Sequence, residues 1–202
     1  MPLSPESAER TYTIDQQRET SLPYRNRMAQ PNFKLLWDSY PDHDQFPTLQ
    51  TLHTHIGGQV AKSITTPGFG PNGNTCAMRM SLALNYSSMP ISEKLVKTLK
   101  LTTLKGADGK VYLFRVRELK TYLSRALGVS PLRVKADFPS AFERKKGIVA
   151  FTVSGWSDAS GHVALCNGSE FRDDHDDYRF LRDYPETPAV EPKTVEMALW
   201  PL

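Results

Sequence analysis

The chain has 202 residues, 39% of them hydrophobic, enough for one core and so for one domain with at most an appendage. Its 25 basic and 22 acidic residues leave a formal charge of +3, which excludes a disordered polyelectrolyte and a dedicated nucleic-acid clamp. No apolar run is long enough to span a bilayer as a helix, and Cys76 and Cys166 are too few for a disulfide scaffold or an all-cysteine zinc site.

Residues 1–30 are rich in Ser, Glu, Arg and Gln, with sparse apolar residues of no regular period. They read as a mobile arm or a wrapping extension, and with no apolar core segment they are not a Sec signal. Ordered structure is expected from Pro31. Phe33, Leu36, Trp37 and Tyr40 fall on one helical face, which Pro41 ends. From Asp42 to Thr66 no period emerges. The stretch Thr65–Thr75, TTPGFGPNGNT, is a Gly- and Pro-rich loop. CAMRMSLALNYS then reads as a helix capped by Asn74 or Thr75, and Ile91–Leu101 as an amphipathic helix with Leu95, Val96 and Leu99 on one side. GADGK marks a turn. VRELKTYLSRALG is a third helix of this group, lined by Val116, Leu119, Leu123, Ala126 and Leu127 and stopped by Gly128.

Beyond this point the pattern changes. Gly147–Trp156 and Gly161–Gly168 are β-branched runs bounded by glycine, two strands of the buried kind. Weaker strand signals follow at Tyr178–Leu181 and in the C-terminal VEMALWPL. N-terminal helices followed by a meander of strands predict an α+β fold with a C-terminal antiparallel sheet.

Several patterns compete as functional sites. Gly68, Gly70 and Gly73 spell G-x-G-x-x-G, with Glu93 in the position of the ribose-binding acid. The preceding QVAKSITT is a poor buried strand, Pro71 stiffens the supposed phosphate loop, and no parallel strand follows, so a nucleotide site is rejected. Cys76 stands at the start of a helix, where free N–H groups and the macrodipole favour thiolate and can hold an oxyanion. Alone it is equally consistent with a small buried core residue. His162 opens a strand. Cysteine on a leading helix with histidine on a later strand is the papain-type arrangement, in which the base needs an orienting acceptor on its other nitrogen. An antiparallel return through Asn167-Gly168-Ser169 would bring Asp173 or Asp174 alongside His162.

Metal-site patterns are absent. His43, His53 and His55 read as polar loop residues, RDDHDDYRF lacks the Gly and terminal Glu of a calcium loop, and no metal or cofactor is expected. Cys166, mid-strand and on the face of His162, reads as a packing residue. A Cys76–Cys166 disulfide is the rival that would remove the nucleophile.

QPNFKLLWDSYP, GNTCAMRMSLAL and GHVALCNGSEFRDD, in this order, resemble the fourth family of type VI secretion amidase effectors, over about Pro31 to Leu202. Those are papain-like, NlpC-type peptidoglycan peptidases injected by one bacterium into the periplasm of another. The resemblance implies a papain-like domain over 31–202, with Cys76 as nucleophile, His162 as general base and Asp173, by its offset, as the orienting acid. Gly73, Asn74 and Thr75 would contact substrate. It further implies cleavage of the D-glutamate–meso-diaminopimelate bond of the wall stem peptide, a cognate immunity protein blocking the cleft, delivery by the type VI machinery, and neither nucleic-acid binding nor membrane insertion. Ala164 and Cys166 depart from the acidic or aromatic residues usual after the family histidine, and the Asp173/Asp174 doublet leaves the acid ambiguous by one position. Two rivals stand beside this reading. One is a non-catalytic α+β binding module with structural cysteines. The other is a papain-fold acyltransferase sharing the same triad.

Overall fold

The computed structural model describes residues 30–66, 75–135, 138–156, 161–179 and 193–202. Its first half is helical: α1 (Phe33–Asp38), α2 (Leu49–Ile56), α3 (Gly58–Lys62), α4 (Cys76–Tyr86), α5 (Glu93–Thr98) and α6 (Val116–Ala126). A short hairpin of β1 (Thr103–Lys105) and β2 (Val111–Leu113) lies between α5 and α6. The second half supplies β3 (Leu132–Val134), β4 (Gly147–Ser154), β5 (Gly161–Cys166) and β6 (Lys193–Pro201), paired antiparallel in the order β3–β6–β4–β5. The α+β class is as expected, with the helices N-terminal to the main sheet.

The sheet is covered on both faces, which is why β4 reads as an unbroken apolar run rather than an alternating one. Ile148 and Ala150 face the main core with Val163, Leu165, Ala198 and Trp200, against Cys76, Ala77, Met80 and Leu84 of α4. Val149, Phe151 and Val153 face a second cluster with Ala164, Cys166, Met197 and Leu199. The two cysteines belong to different clusters, and both are thiols; the disulfide alternative is not formed.

Helix α4 runs through the centre of the molecule, buried from Cys76 to Asn85. Its polar residues are all engaged, as burial demands. Ser81 Oγ donates to the Leu113 carbonyl at 2.8 Å and accepts from the Leu113 N–H at 3.1 Å. Asn85 Nδ2 donates to the Val111 carbonyl at 2.9 Å, and its Oδ1 accepts from the Ile91 N–H at 3.0 Å. These bonds fasten α4 to the free side of the hairpin and fix the direction in which its N-terminus points.

Several expectations change. α1 ends at Asp38, and Tyr40 lies beyond it, buried, instead of on its face. Ser92 caps α5, which is shorter than the Ile91–Leu101 span. The aperiodic stretch after Asp42 contains α2 and α3, opened by a reciprocal Thr48–Thr51 capping box. GADGK is the turn of a hairpin, and β3 pairs with β6 where no strand was expected. At Tyr178 the chain is irregular rather than a strand, because a 3-10 turn at Asp174–Asp176 precedes it. The rest of that expected strand, residues 1–29 and loop residues 67–74, with Gly68, Gly70, Gly73 and Asn74, lie outside the described residues.

Candidate active site

Cys76 is the first residue of α4, with Thr75 as the N-cap. The sequence places it there because a chain leaving a Gly/Pro-rich loop enters a run of good helix formers. His162 is the second residue of β5, which stands last in the strand order among the described residues and packs against α4. A Cβ on the neighbouring Gly161 would sit 2.2 Å from the Phe151 carbonyl oxygen, so the glycine is what allows β5 to approach β4 at this end. The thiol and the imidazole are hydrogen-bonded to each other, and both residues are buried, at 3% and 5% exposure.

The acid that meets His162 is Asp176. His162 Nε2 lies 2.7 Å from Asp176 Oδ1, while Tyr40 Oη donates to Asp176 Oδ2 at 2.7 Å. With Nε2–H directed at a carboxylate, Nδ1 is the nitrogen left to the thiol. Burial lowers the His162 pKa, but the adjoining Cys76 and Asp176 charges and their hydrogen bonds outweigh it and push the value up to about 10. The pair is therefore arranged to hold a proton on the imidazole when the sulfur is a thiolate. Tyr178 stacks on the His162 ring, centroids 4.3 Å apart with planes at 30°, and Trp156 meets Tyr178 edge-on at 5.4 Å. This aromatic wall restricts rotation of the imidazole.

Asp173, expected at this position, is elsewhere. Its buried carboxylate accepts from the His43 N–H at 2.7 Å and lies 2.6 Å from His43 Nδ1. It also accepts from the His175 N–H at 3.0 Å and lies 3.0 Å from His175 Nδ1. Burial alone would raise its pKa, but the hydrogen bonds from His43 and His175 prevail and hold it below the ordinary carboxylate range. The cause of the difference is the 3-10 turn. The expectation assumed an extended return strand, whereas beyond the Cys166–Phe171 bridge the chain coils, with Asp173 as N-cap. Residues three apart in such a turn share a side, so Asp173 and Asp176 both face inward and Asp176 reaches His162. Asp174 is exposed.

Thr75 is buried, and its hydroxyl accepts from Arg79 Nε at 3.0 Å. Arg79, on α4, extends to the carbonyls of Pro41 at 2.9 Å, Asp42 at 2.8 Å and Phe46 at 2.6 Å. Arg172 reaches the same segment from the other side, donating to the Trp37 carbonyl at 3.1 Å and to Asp42 Oδ2 at 2.8 Å. The segment after α1 is thereby clamped, which sets Tyr40 against Asp176 and His43 against Asp173. Sequence reasoning missed Tyr40, Arg79, Asp176 and Tyr178 as site residues. Only Arg79 carried a signal, as a cation inside the otherwise apolar CAMRMSLAL.

Residues 72–200 match the family described as Type VI secretion system (T6SS), amidase effector protein 4. The chain belongs to this family of amidase effectors. It is 31% identical to the effector of the type VI effector–immunity complex Tae4–Tai4 from Enterobacter cloacae, with a TM-score of 0.69, over 86% of this chain and 99% of that one. The corresponding complex from Salmonella Typhimurium gives 31% identity and a TM-score of 0.67, over 86% and 99%. The Enterobacter cloacae effector Tae4 gives 29% identity and a TM-score of 0.68, over 87% and 98%. No curated protein matches the chain. Among the described residues no helix is long and apolar enough to cross a membrane.

Proposed function

We propose that this amidase effector is a cysteine peptidase of peptidoglycan, cutting the stem peptide at the D-glutamate–meso-diaminopimelate bond. The observation that carries the reading is the buried Cys76–His162–Asp176 chain of hydrogen bonds at the N-terminus of α4. His162 Nδ1 takes the proton of Cys76, and Sγ attacks the peptide carbonyl carbon. The first N–H groups of α4 point towards the oxygen that becomes negative. His162 returns its proton to the leaving amine, giving a thioester on Cys76 and a free amino group. Water, deprotonated by the same imidazole, then attacks the thioester, releasing a carboxylate and restoring the thiol. Asp176 keeps Nε2–H engaged throughout and offsets the imidazolium charge, while Tyr40 holds the carboxylate's second oxygen.

Residues 31–202 are the catalytic domain in this reading, and 1–30 are an extension outside it. Family membership supports delivery by the type VI machinery to the periplasm of a target cell. The effector–immunity complexes among the similar structures support a cognate immunity protein as partner. Purified sacculi incubated with the chain should release fragments whose masses and new amino termini report the bond cut. Cys76→Ala, folded by circular dichroism, should release none; persistent release by that variant would exclude the thiol mechanism.

A further inference from the structure

Behind the thiol centre, two imidazoles converge on one carboxylate. His43 Nδ1 lies 2.6 Å from Asp173 Oδ2, and His175 Nδ1 lies 3.0 Å from Asp173 Oδ1. One donor from each of the three side chains falls within 4.8 Å of the other two. The two rings are tilted, with centroids 4.8 Å apart. We propose that His43, Asp173 and His175 form a three-ligand site for a borderline divalent metal, with zinc the ion its donors suit best.

The chemistry of the donor set selects the class of ion. Two imidazole nitrogens and one carboxylate oxygen match zinc, cobalt(II) or nickel(II), whereas calcium and magnesium call for six or more oxygens. Tetrahedral ligation at about 2.0–2.2 Å from each donor sets neighbouring donors somewhat over 3 Å apart. The imidazoles therefore need to draw back slightly from the carboxylate, and the three donors, spread over as much as 4.8 Å, need to close around the ion by about an ångström, a movement open to the exposed His175 ring. Each ring must carry its remaining proton on Nε2, leaving the Nδ1 lone pair for the metal.

The surroundings make the site both held and reachable. The Asp173 side chain is 2% exposed and anchored by the backbone N–H groups of His43 and His175, so the carboxylate is preorganised. The His43 side chain is 30% exposed and that of His175 64%, which opens the fourth coordination position to water. A surface imidazole beside a carboxylate contributes little stability by itself. Two of them, brought by separated segments to opposite oxygens of one buried acid, make a ligand arrangement. Because Asp173 caps the turn that ends at Asp176, a bound ion would tie the segment after α1 to the element that orients His162.

The test uses the untagged full chain carrying Cys76→Ala, which removes the thiol as a competing ligand and is independent of whether the chain hydrolyses peptidoglycan. Zinc chloride titrated by calorimetry should bind at one ion per chain, and cobalt(II) should show the visible absorption of a tetrahedral site. His175→Ala in that background loses an exposed side chain and should bind zinc about tenfold or more weaker, as should His43→Ala. Absence of zinc binding at micromolar to tens-of-micromolar concentration, or undiminished binding by folded His175→Ala, would overturn the proposal.

Discussion

Asp176 holds its two neighbours with different oxygens, the His162 imidazole on Oδ1 and the Tyr40 hydroxyl on Oδ2. An Asn in its place still accepts from Nε2–H, so the geometry survives while the negative charge is lost. That charge helps raise the His162 pKa to about 10, and the imidazolium of the thiolate pair is lost as pH rises through it. The sign follows: native activity should persist into alkaline solution and fall near pH 10, the apparent value belonging to the coupled pair. Asp176→Asn should bring this alkaline limb to lower pH and reduce kcat by about tenfold to a hundredfold. Asp173→Asn should leave the limb in place, since Asp173 faces His43 and His175. A pH–rate profile of each variant on sacculi checks this, and a shifted limb in Asp173→Asn would return the orienting role to that residue. Here lies the limit of what the sequence disclosed at the site. Cys76 and His162 were legible because a helix start and a strand start are local features. The choice among closely spaced acids depended on whether the chain after Ser169 ran straight or coiled, and no local pattern decided that.

At the scale of elements, the long periodic ones were legible and the short ones were not. α4, α6, β4, β5 and β6 stand near their expected spans because each carries a full apolar face. α2 and α3 together bury only Leu49, Leu52, His53, Ile56 and Val60, and one of those inward positions is a histidine, which broke the apparent period. His53 is 1% exposed, with Ser63 Oγ 3.2 Å from its Nδ1. Burial lowers its pKa from 6.5 to about 4, despite a hydrogen bond to the Val60 backbone. Below pH 6.5 the unfolded chain takes up the proton that the folded chain refuses, so the contribution is full above that value and is lost as pH falls towards 4. The loss amounts to about 3 kcal/mol at about 1.4 kcal/mol per pH unit. Urea denaturation at a series of pH values should show this slope in the native chain. His53→Asn, lower in stability throughout, should show a flatter one. Equal slopes would mean that His53 titrates normally.

Over the whole molecule, the final strand in sequence lies inside the sheet. β6 pairs with β3 on one side and β4 on the other, and Met197, Ala198, Leu199 and Trp200 are at most 1% exposed. The C-terminal strand was legible as a weak strand signal in VEMALWPL, but its central place was not, because strand order is set by which edges remain to be covered. The site depends on this order: β6 supports β4, β4 supports β5, and β5 carries His162. Burying Met197, Leu199 and Trp200 contributes about 1.5–3 kcal/mol each, a sum comparable to the 5–15 kcal/mol that holds a typical domain together. A chain ending at residue 192 should therefore show no cooperative unfolding transition and no activity on sacculi. A chain beginning at residue 30 keeps every described contact of the core and of the Cys76–His162–Asp176 arrangement. It should unfold cooperatively and release wall fragments at the rate of the full chain. Loss of either property on removing residues 1–29 would show that these residues belong to the working domain.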